Sequence, residues 1–343
     1  SRFDASDLEE RAEKEELHLR LKLDRDWSFD QRLMAIRRHA AQMRVEFRWR
    51  FARLFRVMAQ EIRLGRAVSN QVVLIRGEGD PNGGDRRDSI HIYEKRDVAE
   101  KLAGKPVHYI DGTMDRLQAG ALLGDECPYI ALDAERNLHV TQVCDTLFSK
   151  NRMLMRKDAA KNRQELYRFI LALGARHRTI LIGAPLAIRE LMEKEWPAFV
   201  AGSPAPPTVA WLHMNSGRGV NDYAQFDACV EIGREEPRAR TIEALARMRR
   251  PDMAITSLPW SPDDPSTGPA WPQRVQGYTM KDGRKLGVEV SFHPDPVCQS
   301  VLQQIREGEL VQLADRLRAV NRTKAPALYL LTSIPTELPI DRL

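Results

Sequence analysis

The fold is decided by Thr179-Ile-Leu-Ile-Gly-Ala-Pro185 and by the segments around it. The run 179–182 is apolar and is followed by a glycine and a proline, which is the pattern of a short buried strand. The predicted order of elements is helix 162–173, strand 179–182, helix 185–194, strands 209–213 and 228–232, and helix 240–248. Because strands that alternate with helices pair in parallel, we predict an α/β protein with a parallel sheet covered by helices, a doubly wound architecture.

Further elements are predicted on both sides of this core. They are strand-like runs at 107–110 and within 129–143, a helix at 296–320 and a strand at 327–332. The segment 251–296 is rich in proline, aspartate and tryptophan, and we interpret it as an insertion. Within it, Lys281-Asp-Gly-Arg284 predicts a hairpin, since Asp-Gly suits the tight turn between two antiparallel strands.

Residues 1–104 are predicted to form a basic helical region. Apolar residues recur at spacings of three and four from Ser28 to about Gly65 without a proline, so one long helix or a bent pair is expected, and the charged residues before Ser28 predict an exposed helix. The candidate nucleic-acid contacts on the long helix are basic and aromatic side chains that could follow phosphates and stack on bases, namely Arg37, Arg44, Arg48 and Trp49. The alternative is a solvated helical face whose arginine stems cover apolar surface.

The composition describes an ordinary globular protein. The 343 residues suffice for about two domains, and 43% of them are hydrophobic. Lys and Arg number 53 against 48 Asp and Glu, so the net charge of +5 permits a nucleic acid as partner without requiring one. The four cysteines form no C-x-x-C pair, which argues against a zinc ribbon and favours reduced thiols. No apolar run reaches the length of a membrane span and no signal peptide is present, so we expect a cytoplasmic protein without a membrane partner.

The segment Glu309-Leu-Val-Gln-Leu-Ala-Asp-Arg-Leu-Arg-Ala-Val320 carries the first functional signal. Its apolar residues recur at helical spacing, which predicts a buried stripe, and Gln312 and Arg316 then share one face. Guanidinium groups stay charged and offer forked donors, so Arg316 and Arg318 suit a planar anion or a transferring phosphoryl group. The alternative is an ordinary leucine-rich helix with exposed arginines.

Three other segments precede this helix. They are the acidic strand end Tyr109-Ile-Asp111-Gly-Thr113, the strand at 179–185, and His213-Met-Asn-Ser-Gly-Arg-Gly-Val-Asn-Asp222 before the strand at 228–233. In this order the four segments resemble motifs III to VI of superfamily 2 helicases, especially the helicase-like proteins of phages and plasmids and the primase-helicases. The resemblance covers roughly residues 105–343.

The resemblance implies a RecA-like parallel-sheet domain at 105–343, the second motor domain of an ATP-dependent nucleic-acid helicase or translocase, with DNA as the expected track. Residues 1–104 would be the end of, or an insertion in, the first motor domain. The implied catalytic residues are Gln312, Arg316 and Arg318. The implied residues that couple the nucleotide to the nucleic acid are Asp111, Gly112, Thr113, Ser216, Gly217, Arg218, Gly219 and Asn221. Asp315 stands where the family has glycine and Arg318 lies one residue before the usual last arginine, which favours Arg316 as the arginine finger.

Part of the family pattern is missing. No G-x-x-x-x-G-K-[ST] occurs, since Leu102-Ala-Gly-Lys-Pro106 has proline at the place of the magnesium-binding hydroxyl and the glycine-rich loop 77–85 lacks the lysine. ATP and Mg²⁺ are therefore expected to be held mainly by an N-terminal motor domain upstream, which is itself an expected partner. One alternative makes Tyr109-Ile-Asp111 a metal-binding Walker B strand, and another makes the chain a non-enzymatic DNA-binding or scaffold module with a motor-like fold. His213 and His293 lack partners at metal-ligand spacing, so no metal site is expected on this chain.

Overall fold

The computed structural model describes residues 4–17, 28, 31, 34–35, 38, 45–78, 87–95, 105–106, 108–110, 112–113, 115–132, 134–216, 219–259 and 269–343. The chain divides into two compact units. The first comprises Ser1–Ala103 and Ala244–Ile255, and the second comprises Gly104–Glu243 and Thr256–Leu343. Residues 244–255 thus pack with the first unit although the second surrounds them in sequence.

Two helices and a hairpin make up most of the described part of the first unit. Helix α1 spans Ala5–Leu17, helix α2 spans Val45–Arg63, and the two pack side by side. Strand β1 (Val72–Glu78) pairs antiparallel with β2 (Arg87–Ile92). The helix predicted before residue 28 is confirmed, and α2 confirms the second half of the helix predicted over 28–65. Most of 28–44 lies outside the described residues.

The interface between α1 and α2 combines small apolar side chains with ion pairs. Leu8 and Ala12 of α1 are buried, as are Ala52 and Ala59 of α2, so α1 has a buried face and is not the exposed helix that its charge suggested. Across the interface, ion pairs join Arg48 to Glu15 at 3.2 Å, Arg56 to Glu16 at 2.6 Å, and Arg63 to Glu9. Such exposed pairs add little stability, but they neutralise the arginines of α2.

The elements that follow along the chain alternate between helices and strands. They are α3 (Arg116–Leu123), β3 (His139–Gln142), α4 (Ala159–Leu173), β4 (Thr179–Ala184), α5 (Leu186–Val200), β5 (Thr208–His213), β6 (Ala228–Ile232), α6 (Ala239–Arg249), β7 (Gln273–Gly277), β8 (Gly287–Ser291), α7 (Pro296–Ala314) and β9 (Ala327–Leu331). Five of the strands form one parallel sheet in the order β3-β9-β6-β4-β5, while β7 and β8 pair antiparallel. The predicted α/β class with a parallel sheet is therefore confirmed, as is the hairpin around 281–284.

Helices cover both faces of the sheet. One face packs against α4 and α5, where Ile170 and Ile188 are buried, and the other packs against α7, where Leu310 and Leu313 are buried. Such an arrangement is the one that right-handed crossovers give when the chain crosses the sheet in one direction, here from β3 to β5, and returns in the other, here from β5 to β9. At Gly183 the helix comes so close that an added Cβ would lie 1.9 Å from Leu313 Cδ2.

Three sequence predictions for this unit are wrong. The run 107–110 forms no strand in its described residues, and Ile110 is 95% exposed there, so its apolar character finds no sheet to join. Within 129–143, only 139–142 is a strand. The last helix ends at Ala314 instead of 320, because Arg318 adopts a left-handed backbone (φ 51°) that an α-helix excludes, and 3₁₀ turns lie on either side of it. Among the described helices, none is long and apolar enough to cross a bilayer.

Candidate functional site

The predicted arginine segment meets the loop 214–227, which connects β5 to β6. The Arg316 guanidinium donates from Nε to the Gln312 carbonyl at 3.1 Å and from Nη1 to the Val220 carbonyl at 2.9 Å. Arg318 donates from Nη2 to Asn221 Oδ1. The end of α7 is therefore tied to two successive residues of the loop.

Gln312 connects the same segment to Thr113. Its Nε2 donates to Thr113 Oγ1, and Gly308, one turn earlier on α7, leaves room for the threonine side chain to lie against the helix. Asp115 caps the N-terminus of α3 and also accepts a hydrogen bond from the Ser300 hydroxyl on α7. The segments that carry Gly112 and Thr113, the loop after β5, and the arginines thus meet around α7 although they are distant in sequence.

The turn after β5 is also held by α7. Asn215 has a left-handed φ of 73°, and its amide donates to the buried carboxylate of Glu309 at 2.9 Å. The Ser216 hydroxyl donates to the His213 carbonyl at 2.7 Å, so it is used inside the turn. Gly219 has a φ of 78°, where a glycine is favoured because a side chain would be strained. No helix follows this turn in the described residues, and the chain instead returns along α7 to β6.

Positive charge dominates the end of α7. Burial lowers the pKa of Arg316, and the charge of neighbouring Arg318 lowers it further. Asp315 is occupied by Arg136, whose Nε and Nη2 lie 2.8 and 3.2 Å from the two carboxylate oxygens. The aspartate that departs from the helicase pattern therefore anchors the turn, and it leaves the charge of Arg316 and Arg318 for an anion.

A polar cavity of about 380 Å³ opens beside Thr113. Gln303 and Glu307 of α7 and Glu337 after β9 are among the residues that line it. Its lining contains no lysine or arginine, so the cavity offers a phosphate no cationic donor. Arg316 and Arg318 do not line the cavity, and of the two features only the arginines suit an anion.

The sequence interpretation missed a buried acid in β6. Glu231 is 0% exposed, and neither carboxylate oxygen has a hydrogen-bond partner. Burial raises the pKa of Glu231 well above its ordinary value, and the charge of Asp315 raises it further. The acid lies near the carboxyl end of β6, beside β4, where the chain reverses its direction across the sheet. A single acid inside an otherwise apolar strand is the sequence signal that could have revealed it.

His293 lies in a loop and is buried. Its Nε2 lies 3.6 Å from Glu243 Oε1, and its Nδ1 accepts from the Asp295 amide at 3.2 Å. A ring nitrogen that accepts carries no proton, so in this geometry the ring N–H is the one at Nε2, which faces the carboxylate. Across the described ranges, no group of three or more His, Cys, Asp and Glu could hold a metal ion.

Some predicted site residues are not brought together. Asp111, Gly217, Arg218, Arg37 and Arg44 lie outside the described residues, so the Walker B alternative stays a prediction. On α2, Arg48 pairs with Glu15, while Trp49 is 58% exposed; both belong to the first unit.

The candidate site is therefore the arginine turn after α7 together with Thr113, Gln312 and the loop 214–227. Its chemistry is that of an anion-binding turn coupled by hydrogen bonds to two neighbouring segments. No family model, curated protein or solved structure matches the chain.

Proposed function

We propose that the second unit is the RecA-like second motor domain of an ATP-dependent helicase or translocase whose track is a nucleic acid, with DNA expected. The proposal is carried by the hydrogen-bonded path from Thr113 through Gln312 and Arg316 to Val220. The helicase resemblance assigns these segments to one coupled site, and their spacing in the sequence does not require them to meet. The parallel sheet with helices on both faces is compatible with a RecA-like fold.

In such a motor, Arg316 would stabilise negative charge on the transferring phosphoryl group, and Gln312 would hydrogen-bond near the nucleotide. Arg316 now holds the Val220 carbonyl, and Arg318 holds Asn221. An Arg316 side chain that turned toward a phosphate would release Val220. In the proposed motor, the site would then switch between two arrangements, through which the loop would report the state of the nucleotide.

The residues of this chain fit part of that chemistry. Forked guanidinium donors match phosphate oxygens, and ATP when bound supplies the phosphoryl group. The described residues provide no site for magnesium, because they contain no acidic group arranged for a metal, and the sequence contains no phosphate loop. The phosphate loop and the Mg²⁺ ligands are therefore assigned to a first motor domain as partner.

ATP hydrolysis with and without single-stranded DNA tests the proposal. We expect stimulated hydrolysis from a version of the chain extended upstream to include a phosphate loop. Arg316→Ala should lower turnover about a thousandfold and leave ATP binding largely intact. Arg316→Lys should restore little, because an ammonium group lacks the planar fork. An extended protein that hydrolyses no ATP would refute the motor.

The control for Arg316 is Arg284→Ala. Arg284 is exposed, pairs with Asp282 in the turn between β7 and β8, and should tolerate the change. Turnover that survives Arg316→Ala as well as it survives Arg284→Ala would refute the finger assignment.

A second function is favoured because Arg316 and Arg318 are already hydrogen-bonded within the chain. Arg316 bonds two backbone carbonyls and Arg318 bonds Asn221, as a module without turnover would hold them. This candidate is a non-enzymatic nucleic-acid-binding or scaffold module with a motor-like fold. It predicts that ATP leaves oligonucleotide affinity unchanged and that the extended protein hydrolyses none.

A further inference from the structure

A strip of cations runs from the arginine turn to the amino-terminal edge of the parallel sheet. It consists of Arg176, Arg178, Arg316, Arg318, Arg322 and Lys324. Four of these side chains are exposed, and Arg316 and Arg322 are partly buried. Among the residues that the structure describes, no carboxylate lies within ion-pair distance of any of the six.

One half of the strip is attached to the loop before β6. Arg316 Nη1 donates to the Val220 carbonyl at 2.9 Å, and Arg322 Nη1 donates to the Phe226 carbonyl. Arg318 lies between them in sequence and bonds the same loop. Hydrogen bonds therefore hold these three guanidinium groups along the loop that precedes β6.

The other half begins at Asp227, the residue before β6. The Arg178 amide donates to Asp227 Oδ2 at 2.8 Å, and Lys324 attracts the same carboxylate. Burial lowers the pKa of His177, and Arg176 and Lys324 lower it further against the pull of Asp227. Arg176, Arg178 and Lys324 therefore share the edge of the sheet where the first half of the strip ends.

The carboxylates near the strip offset only part of this charge. Asp227 is engaged by the amides of Arg178 and Thr179, and Asp315 is bound by Arg136. Glu309 of α7 acts on Arg316 and is bound by the Asn215 amide, and Asp222 is exposed in the loop, so each subtracts one charge. The strip keeps a clear excess of positive charge.

The arginines of α2, in contrast to those of the strip, are paired with acids. Arg48, Arg56 and Arg63 each pair with a glutamate of α1. Their charge is thus matched inside the first unit, whereas the strip presents unmatched charge. A polyanion gains more from the strip than from α2, because it need not displace an existing ion pair.

We infer that this strip, apart from the Arg316 guanidinium assigned to the nucleotide, binds the phosphodiester backbone of a nucleic-acid strand. Five of the six side chains are arginines, whose forks match phosphate oxygens, and a row of cations suits a repeating anion. A membrane surface fits less well, because Tyr223 and Phe226 of the loop pack inward against the core and offer no apolar face to lipid. The inference rests on the proposed function for the choice of a nucleic acid, and it places the strand on the second unit.

Fluorescence anisotropy of a labelled oligothymidine, measured without ATP at several salt concentrations, tests this inference. The double variant Arg176→Gln/Lys324→Gln should weaken binding about tenfold at low salt and reduce the slope of log affinity against log salt by about 1.4, since each single-strand phosphate contact contributes about 0.7. A wild-type chain that fails to bind the oligonucleotide would overturn the inference.

Two control variants remove the same charge elsewhere. Lys161→Gln/Arg284→Gln changes exposed cations of the second unit, and Lys14→Gln/Arg56→Gln changes exposed cations of α1 and α2. Both should leave the affinity and the slope unchanged. An equal loss of affinity in all three variants would show an effect of net charge alone. A loss of affinity confined to Lys14→Gln/Arg56→Gln would indicate that the strand binds α2. Either result overturns the proposal that the strip binds the strand.

Two further measurements separate this inference from its neighbours. Heparin that competes as well as DNA at equal charge would show a general polyanion site and overturn the choice of a nucleic acid. Strip-dependent DNA binding in an upstream-extended protein that hydrolyses no ATP would refute the motor and support the strip.

Discussion

Arg136 donates two hydrogen bonds to the Asp315 carboxylate, from Nε to Oδ1 at 2.8 Å and from Nη2 to Oδ2 at 3.2 Å. The two residues are 179 positions apart. Asp315 begins the turn that carries Arg316, and Arg136 lies just before β3. This contact fixes where the arginine turn leaves α7.

Loss of this contact should loosen the turn. We expect Asp315→Asn to lower the free energy of unfolding by about 1.5 kcal/mol, the low end for a hydrogen bond to a charged group because both side chains are partly exposed. Asp315→Gly, which restores the residue of the helicase pattern, should lower it further because glycine adds backbone freedom to the unfolded chain. Urea denaturation measures both, with Asp282→Asn as an exposed control. A cost no larger than that of the control would contradict the anchoring role.

The close approach of α7 to the sheet gives a second prediction. Gly183→Ala places a methyl group 1.9 Å from Leu313 Cδ2, and overpacking of this kind costs roughly 1–3 kcal/mol. Leu313→Val in the same chain should recover part of that cost. Gly202→Ala, where nothing lies within 4 Å of the added carbon, should be near neutral. Additive effects of the Gly183 and Leu313 changes would show that the two residues do not compete for the same space.

Local pattern predicted the core of this fold, because β4 and β6 are mainly apolar and are buried from Ile180 to Ala184 and from Ala228 to Ile232. The end of α7 was not predictable in this way, since it depends on Arg136 reaching Asp315 from another part of the chain. The apolar residues of the run 107–110 predict a strand, yet Ile110 is exposed because strand formation needs a neighbouring strand as well as a sequence.

The candidate site, too, was predictable from the sequence only in part. The helicase resemblance named the segments that meet, and Thr113, Gln312 and Arg316 do lie in one hydrogen-bonded path. The hydrogen-bond partner of each side chain depends on the fold. Residue type therefore could not predict that Arg316 donates to the Val220 carbonyl, or that Glu231 is buried without a hydrogen-bond partner.

A partly buried cluster between α4 and α5 predicts the response to acid. Arg163 binds Glu195 through two hydrogen bonds of 2.9 Å, and the Tyr167 hydroxyl donates to the same carboxylate at 2.8 Å. The bond from Arg163 lowers the pKa of Glu195, so the cluster stabilises the fold above the ordinary value of 4.5 and loses that effect as the pH falls through the lowered pKa.

Glu195→Gln should therefore cost about 2 kcal/mol at neutral pH and flatten the acid side of the stability profile. Glu193→Gln, on the same helix and in an exposed pair with Arg189, is the matched control and should cost under about 0.5 kcal/mol. Equal effects of the two changes would show that the Arg163 cluster contributes no more than a surface pair.

Glu231 predicts the opposite dependence on pH. Burial raises its pKa in the folded protein, so the unfolded chain releases the proton first as the pH rises above the ordinary value of 4.5. Stability is then fully present below that value and falls as the pH rises toward the raised pKa, by at most about 1.4 kcal/mol per pH unit. Glu231→Gln keeps the shape of the side chain without the ionisation and should remove this loss.

Urea denaturation at several pH values between roughly 5 and 8 measures the effect of Glu231. Glu231→Gln should be more stable than the wild type at the upper end of this range and similar to it at the lower end. Glu165→Gln, at an exposed position on α4, should leave the profile unchanged. Parallel profiles for the wild type and Glu231→Gln would mean that the carboxyl group gains a partner or water in solution, and the rise in its pKa would then be wrong. If Glu195→Gln flattens the acid side while Glu231→Gln flattens the alkaline side, the pH of greatest stability is set by these two carboxyl groups on opposite faces of the same sheet.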